Sequence, residues 1–247
     1  MPSIPNSVTN LYNAFYNCQN LTTVSTIPNS VTNLYYAFYN CRNMISSPII
    51  SANFSGNMYS TYNNCVNLTT ANFSNKVSNI CYACYNCTNL KNAPNIPNTI
   101  SNMAYAFYNC TNLVNMPQVI GANVSNVRNS FFNCTKIERG PEYWRTNKIT
   151  NFSNLANQFG NYSNGSRNSF KTSLKYWNAD MGEPFLGTNA TVDCSNMFNG
   201  FTNLIQGPQD MEGRVDYNCY KMFYGCTNLV TGPLLVHTPT NIDQMYY

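Results

Sequence analysis

The residues of this chain best equipped for chemistry are its eleven cysteines. Six of them, Cys18, Cys41, Cys65, Cys87, Cys110 and Cys134, each follow an asparagine and lie 23, 24, 22, 23 and 24 residues apart. Cys226 falls in the same slot further along. Thiols repeated in this way could hold a metal, pair as disulfides or fill a core. A column of them reads most simply as small apolar filling, because free cysteine is among the most buried residue types. Stacked strands about 4.8 Å apart would bring such thiols close, but parallel Cβ directions make a bridge awkward. Phe201 and Tyr162 occupy the same slot and can neither bridge nor ligate. The one local cluster, Cys81, Cys84 and Cys87, lacks the second ligand pair of a zinc site. Buried free thiols are therefore expected, with no metal and no cofactor.

Other catalytic chemistry is thinly provided. The only histidine, His237, has no companion motif for a Cys–His dyad. All nine acidic residues lie after position 137. Pairs such as Glu138 with Glu142 and Asp210 with Glu212 read as solvated charge in turns. No Gly-rich phosphate loop and no metal-binding histidine pair is present. The expectation is that this is not an enzyme. Residues 1–137 carry five basic side chains (Arg42, Lys76, Lys91, Arg128, Lys136), no acidic one and no basic cluster, which argues against nucleic acid as a partner. No run approaches eighteen apolar residues, so no membrane-spanning helix is expected.

The elements that position these residues follow from the repeat itself. In the fullest unit, Leu11, Ala14, Phe15 and Cys18 stand at i, i+3, i+4 and i+7, the spacing of one face of a short helix. Asn10 sits where a helix N-cap belongs. The stretch Leu21 to Val24, closed by Ile27-Pro28, reads as a brief strand ended by a turn. Stacked copies turn each position into a column. Leu11, Leu34, Met58, Ile80 and Met103 form one, and Phe15, Phe38, Tyr62, Cys84, Phe107 and Phe131 another. Apolar columns of varied size are what a continuous core between repeats requires, and they argue against a disordered Asn-rich tract.

The motifs Ile4-Pro5-Asn6-Ser7-Val8 and Ala14-Phe15-Tyr16-Asn17-Cys18 with Leu21 resemble the BspA-like (treponemal-type) class of leucine-rich repeats. That class usually reads Ile-Pro-x-x-Val-x-x-Ile followed by Ala-Phe-x-x-Cys-x-x-Leu. Ile96-Pro97-Asn98 through Ala106-Phe107-Tyr108-Asn109-Cys110 matches again. The resemblance covers residues 1–137 well and 191–247 more loosely. It implies an α/β repeat solenoid, with a leucine-rich repeat of about 23 residues holding a short strand and a short helix per unit. It also implies a surface-adhesion or scaffold module with no active site to carry over.

The expected organisation is one continuous solenoid: regular repeats over 1–137, a degenerate repeat plus an irregular insertion over 138–190, and further repeats over 191–247, ending mid-unit. The chain opens directly on a repeat with no visible signal peptide, and its unfinished ends suggest a fragment of a longer array. Asparagine ladders such as Asn10, Asn33, Asn57 and Asn20, Asn43, Asn67 are expected to satisfy turn backbone. Twelve Asn-x-Ser/Thr sequons occur. Glycans at Asn86, Asn109 and Asn133, on successive turns, would crowd the stack.

Recognition is expected in two places. One is the insertion with Trp144, Tyr176 and Trp177, since irregular loops on a rigid scaffold often carry binding. The other is the aromatic column Tyr16, Tyr39, Tyr85 and Tyr108, whose simpler reading is that it shields the core edge. The leading expectation is an extracellular or cell-surface module that binds a host protein or a glycan. The alternative is a structural segment of a virion fibre or appendage, stacked on neighbouring subunits at its ends.

Overall fold

A computed structural model describes residues 3–144, 173–177, 192–208, 217–233 and 239–247. They form a solenoid of stacked coils held together by parallel pairing between successive repeats. The named strands are two residues long: β1 Thr26–Ile27, β2 Ile49–Ile50, β3 Val119–Ile120, β4 Tyr143–Trp144, β5 Val192–Asp193 and β6 Tyr217–Asn218. They pair as β1–β2, β3–β4 and β5–β6, each in parallel. Single-residue bridges extend the pairing along two further columns. One runs through Asn10, Asn33, Asn57 and Asn79. The other runs through Asn92, Asn115, Arg139, Tyr176, Gln206 and Thr231.

The expected helix is absent: none of the described residues is helical. In its place stands a chain of tight turns. Ala14 N–H donates to Leu11 C=O at 3.0 Å, Tyr16 to Asn13 at 3.1 Å and Cys18 to Phe15 at 3.1 Å. The intervening N–H groups point elsewhere. Those of Leu11, Asn13, Phe15 and Asn17 donate to the carbonyls of Asn33, Tyr35, Ala37 and Tyr39 in the next coil, at 2.8 to 3.2 Å. This alternation recurs at Leu34–Asn40, Met58–Asn64, Met103–Asn109, Cys194–Gly200 and Cys219–Gly225, always toward the next coil.

Its cause lies in two residues per unit with positive φ. Asn13 has φ 55° and Asn17 has φ 60°, a left-handed conformation that closes a turn but cannot continue a right-handed helix. The Asn17 position is held by Asn40, Asn64, Asn86, Asn109 and Asn133, then by Gly200 and Gly225, all at positive φ. Asparagine and glycine are the residue types that tolerate this conformation, so the recurrent Asn-Cys pair is a turn-forming signal. Asn10 keeps a capping role of another kind: its Oδ1 accepts the Tyr12 N–H at 2.9 Å, two residues on. Asn33, Asn57, Asn79, Asn102, Asn126, Asn218 and Asn241 make the same short bond.

The expected strand over Leu21–Val24 is displaced as well. Pairing begins at Thr26–Ile27, directly before Pro28, while the preceding segment contributes isolated bridges such as Ser46 to Thr70.

The core runs along the coil axis. Leu34, Ala37, Phe38, Cys41 and Met44 are wholly buried, as are their counterparts two units on, Ile80, Ala83, Cys84, Cys87 and Leu90. The Phe column stacks ring on ring, Phe15 on Phe38 at 5.2 Å and Phe107 on Phe131 at 5.3 Å between centroids. From Cys41 onward, each cysteine thiol of the repeat column donates back to the preceding coil. Cys41 Sγ reaches Phe15 C=O at 3.0 Å, Cys65 reaches Phe38 at 3.1 Å and Cys110 reaches Cys84 at 3.2 Å. All eleven cysteines are free thiols. Cys18 is exposed, unlike the rest of its column, because no coil lies behind it among the described residues.

Candidate functional site

The turn arc of each coil, set by the alternating hydrogen bonds, carries the tyrosines outward. Tyr16 stacks on Tyr39 at 4.7 Å and 5°, and Tyr85 on Tyr108 at 4.6 Å and 6°. Tyr108 continues onto Phe132 at 4.7 Å. A second row lies beside the first, with Tyr12 on Tyr35, Tyr35 on Tyr59 at 4.8 Å, and Tyr82 on Tyr105 at 4.7 Å. Tyr36 bridges the rows edge-on, at 75° to Tyr16 and 79° to Tyr35. The spacing equals that of adjacent β-strands: each ring rides on its own coil. The first row is interrupted at Asn63, which holds its position in that coil, while Tyr62 beside it lies buried in the Phe column.

Stacking has a chemical consequence. The ring faces along these rows are covered by neighbouring rings, so what solvent meets is a ribbon of ring edges and hydroxyl groups. Burial raises the Tyr59 hydroxyl to about 12, helped by the neighbouring hydroxyls of Tyr36 and Tyr35. Burial likewise raises Tyr35 and Tyr82. These hydroxyls remain protonated donors at neutral pH. Three tyrosines of the ribbon, Tyr36, Tyr82 and Tyr105, hold φ of 54°, 58° and 58°, in the slot that Asn13, Asn129 and Asn196 occupy elsewhere. A bulky side chain in left-handed backbone is strained.

A second feature is a groove of about 590 Å³ at the end of the regular repeats. It is lined by Asn92, Ala93, Pro94, Asn95, Asn115, Met116, Gln118, Arg139, Gly140 and Glu142. The column of bridged residues sets its floor, and Asn115 Nδ2 donates to Asn92 Oδ1 at 2.7 Å. The Arg139 guanidinium is held 4.5 Å above the ring of Tyr176, and Lys175 pairs with Glu138 at 3.0 Å.

The expected site residues separate. Tyr16, Tyr39, Tyr85 and Tyr108 come together in the ribbon. Trp177, expected to project toward a ligand, is instead 0% exposed and packs edge-on against Phe198 at 5.4 Å. It is a core residue, and Gly140 leaves room for it: a Cβ there would lie 2.5 Å from the Trp177 ring. Tyr176 is half-buried beneath Arg139, in register with Arg139 and Gln206. Residues 173–177 thus rejoin the stack, which corrects their reading as part of a projecting insertion. The backbone of Trp144 ends β4, paired with Ile120; its side chain, with Tyr162, His237, Asp210 and Glu212, lies outside the described residues. The thiols of Cys81 and Cys87 diverge, to Asn102 C=O of the following coil and Tyr62 C=O of the preceding one. No helix among the described residues is long and apolar enough to cross a membrane.

Sequence reasoning missed the second tyrosine row from Tyr82 onward and the groove. Tyr82 and Tyr105 stand one residue out of register with Tyr59, and only the left-handed turn brings them into line.

A family model described as BspA type leucine rich repeat region (6 copies) matches residues 2–114 and 82–230. No curated protein sequence matches. Among solved structures, the chain is similar to a leucine-rich repeat protein from Bacteroides ovatus, at 16% identity and TM-score 0.50 over 92% of this chain and 64% of that one. The chain thus spans 64% of the length of that protein. A leucine rich cell surface protein from Faecalibacterium prausnitzii matches at 16% identity and TM-score 0.41, over 92% of this chain and 83% of that one. The leucine-rich repeat protein of T. pallidum matches at 16% identity and TM-score 0.35, over 93% and 76%. Between them the two family-model matches reach from residue 2 to residue 230, and the chain belongs to the BspA-type leucine-rich repeat family.

Proposed function

We propose that this chain is a non-catalytic recognition module, displayed at a cell surface, that grips a partner protein along its tyrosine ribbon. The observation that carries this reading is the two-row stack of tyrosines riding on successive coils. Tyrosine supplies rigid, amphipathic contact area at low entropic cost, and stacking fixes these rings before a partner arrives. The strain at Tyr36, Tyr82 and Tyr105 supports a role for their side chains, because asparagine fits the same backbone without it.

Two partner classes follow from the sequence, a host protein and a glycan. The ribbon favours the protein, since stacking a sugar ring on these tyrosines would need an open aromatic face and here the faces cover one another. The test is binding to a panel of host matrix and surface proteins, with a Tyr39→Ser/Tyr85→Ser/Tyr108→Ser variant alongside. We expect saturable binding to at least one panel member, weakened more than about tenfold in the variant, with the melting transition retained. A wild-type chain that binds no panel member, or a variant that binds as well as wild type, would remove the ribbon from the mechanism.

A further inference from the structure

We infer that the groove at the end of the regular repeats is a second binding site, separate from the tyrosine ribbon, and that it takes a neutral pyranose sugar. At about 590 Å³ it falls in the size range of small-molecule sites. Its lining divides into two kinds of surface. Half-buried Ala93 and Pro94, with Met116 at their base only 2% exposed, offer a small apolar patch for the C–H face of a ring. The same lining includes the carboxamide residues Asn95, Asn115 and Gln118 together with Arg139 and Glu142. Asn95 Oδ1 accepts the Val119 N–H at 3.1 Å and Asn115 Nδ2 donates to Asn92 Oδ1 at 2.7 Å, which leaves Asn95 its Nδ2 and Asn115 its Oδ1. Groups of this kind present donors and acceptors side by side, which is what adjacent hydroxyls on one ring require.

Charge narrows the ligand further. Arg139 and Glu142 are the two charged groups of the lining and carry opposite signs. An anionic ligand would meet Glu142 and a cationic one Arg139, whereas a neutral polyol can use both. The guanidinium is already positioned, held 4.5 Å over the Tyr176 ring, and that ring is fixed in turn by backbone bridges to Arg139 and Gln206. Nearby, Lys175 is engaged with Glu138 at 3.0 Å, so it brings no uncompensated charge to the rim. The groove also stands where the chain's first carboxylates appear, after 137 residues without one.

The test is ligand-observed NMR with the methyl glycosides of glucose, galactose, mannose and N-acetylglucosamine as probes, and glucuronate and sialic acid as anionic controls. At least one neutral glycoside is expected to bind saturably, with the anionic sugars weaker. Glu142→Gln, which keeps size and removes charge, is expected to weaken that binding about tenfold, the loss expected on removing one charged partner of a hydroxyl. Gln118→Ala is expected to weaken it too, and both variants are to be compared with wild type by melting. The ribbon variant Tyr39→Ser/Tyr85→Ser/Tyr108→Ser is expected to bind the sugar unchanged, which separates this site from the protein-binding reading. The inference is overturned if no neutral glycoside binds, if the anionic sugars bind more tightly, or if folded Glu142→Gln and Gln118→Ala bind as wild type does.

Discussion

At the scale of single residues, the asparagine before each cysteine sets the backbone. Asn109 holds φ 60°, and its side chain donates to Asn86 Oδ1 at 2.7 Å. In ordinary right-handed segments glycine is the costlier replacement. Here the order is expected to invert: Asn109→Ala should destabilise more than Asn109→Gly by about 1 kcal/mol, because alanine must enter left-handed backbone. Urea midpoints of the two variants measure the difference. The buried thiols give a second residue-scale expectation. Burial raises Cys41 from its usual 9.0 to about 12 and Cys219 to about 11. Burial also holds Cys65, Cys87 and Cys110 well above the ordinary thiol range. Below the unfolded value both states keep these protons. Above it the unfolded chain releases them and the folded chain does not, so stability falls as pH climbs from about 9 toward about 12. Tyr59, raised from 10.0 to about 12, acts in the same direction. Denaturation at about pH 8 and about pH 10.5 should show the loss, and equal midpoints would contradict it.

At the scale of the element, contact between coils is close enough to forbid a side chain at certain places. A Cβ on Gly56 would lie 1.8 Å from the Thr32 carbonyl oxygen of the preceding coil. Since that neighbour is backbone, it cannot swing aside. Gly56→Ala is expected to cost about 1–3 kcal/mol, read as a lowered melting midpoint. What was legible in the sequence was the coil as a unit of burial. The columns through Leu34, Phe38 and Cys41 are buried as their spacing requires. The spacing could not distinguish a helix from a run of turns, because both return a side chain to the core at i, i+3, i+4 and i+7. The distinguishing signal was present in Gly200 and Gly225, which replace Asn17 in mid-segment and would weaken a helix. Trp177 was misplaced for a related reason. Its neighbours in sequence follow no repeat, so its fit against Gly140 and Phe198 becomes visible only in the stack. Of the site, the first tyrosine row was readable as a column, whereas the groove joins Asn92, Asn115 and Arg139 across three coils and has no local signature.

At the scale of the whole molecule, stability is a sum over neighbouring coils, each coil contacting those on either side. Damage should therefore remain local. Phe107 is wholly buried and stacks on Phe131, so Phe107→Ala is expected to cost about 3–5 kcal/mol. Hydrogen exchange should then rise in the coils around 80–137 while the coils at 192–208 and 217–233 keep their protection. A uniform rise along the chain would mean that the solenoid unfolds as one cooperative body.

The one-way hydrogen bonds of the turn arc also give this solenoid an electrical direction. At ordinary parallel bridges donation alternates: Ile45 donates back to Thr22 while Ser47 donates forward to Thr70, and the peptide dipoles largely cancel. Along the turn arc they do not. Leu11, Asn13, Phe15 and Asn17 all donate toward higher-numbered coils, and so do their counterparts at Leu34–Asn40, Met58–Asn64, Met103–Asn109, Cys194–Gly200 and Cys219–Gly225. Every second peptide dipole therefore adds along the axis, as the peptide dipoles of an α-helix do, here in four parallel files. Across the described coils the N–H ends of these files, and with them the positive ends of the dipoles, point toward the higher-numbered repeats. The tyrosine ribbon lies over these files, so a partner docking along it meets a potential that changes from one end to the other, and a polar partner is given a preferred orientation.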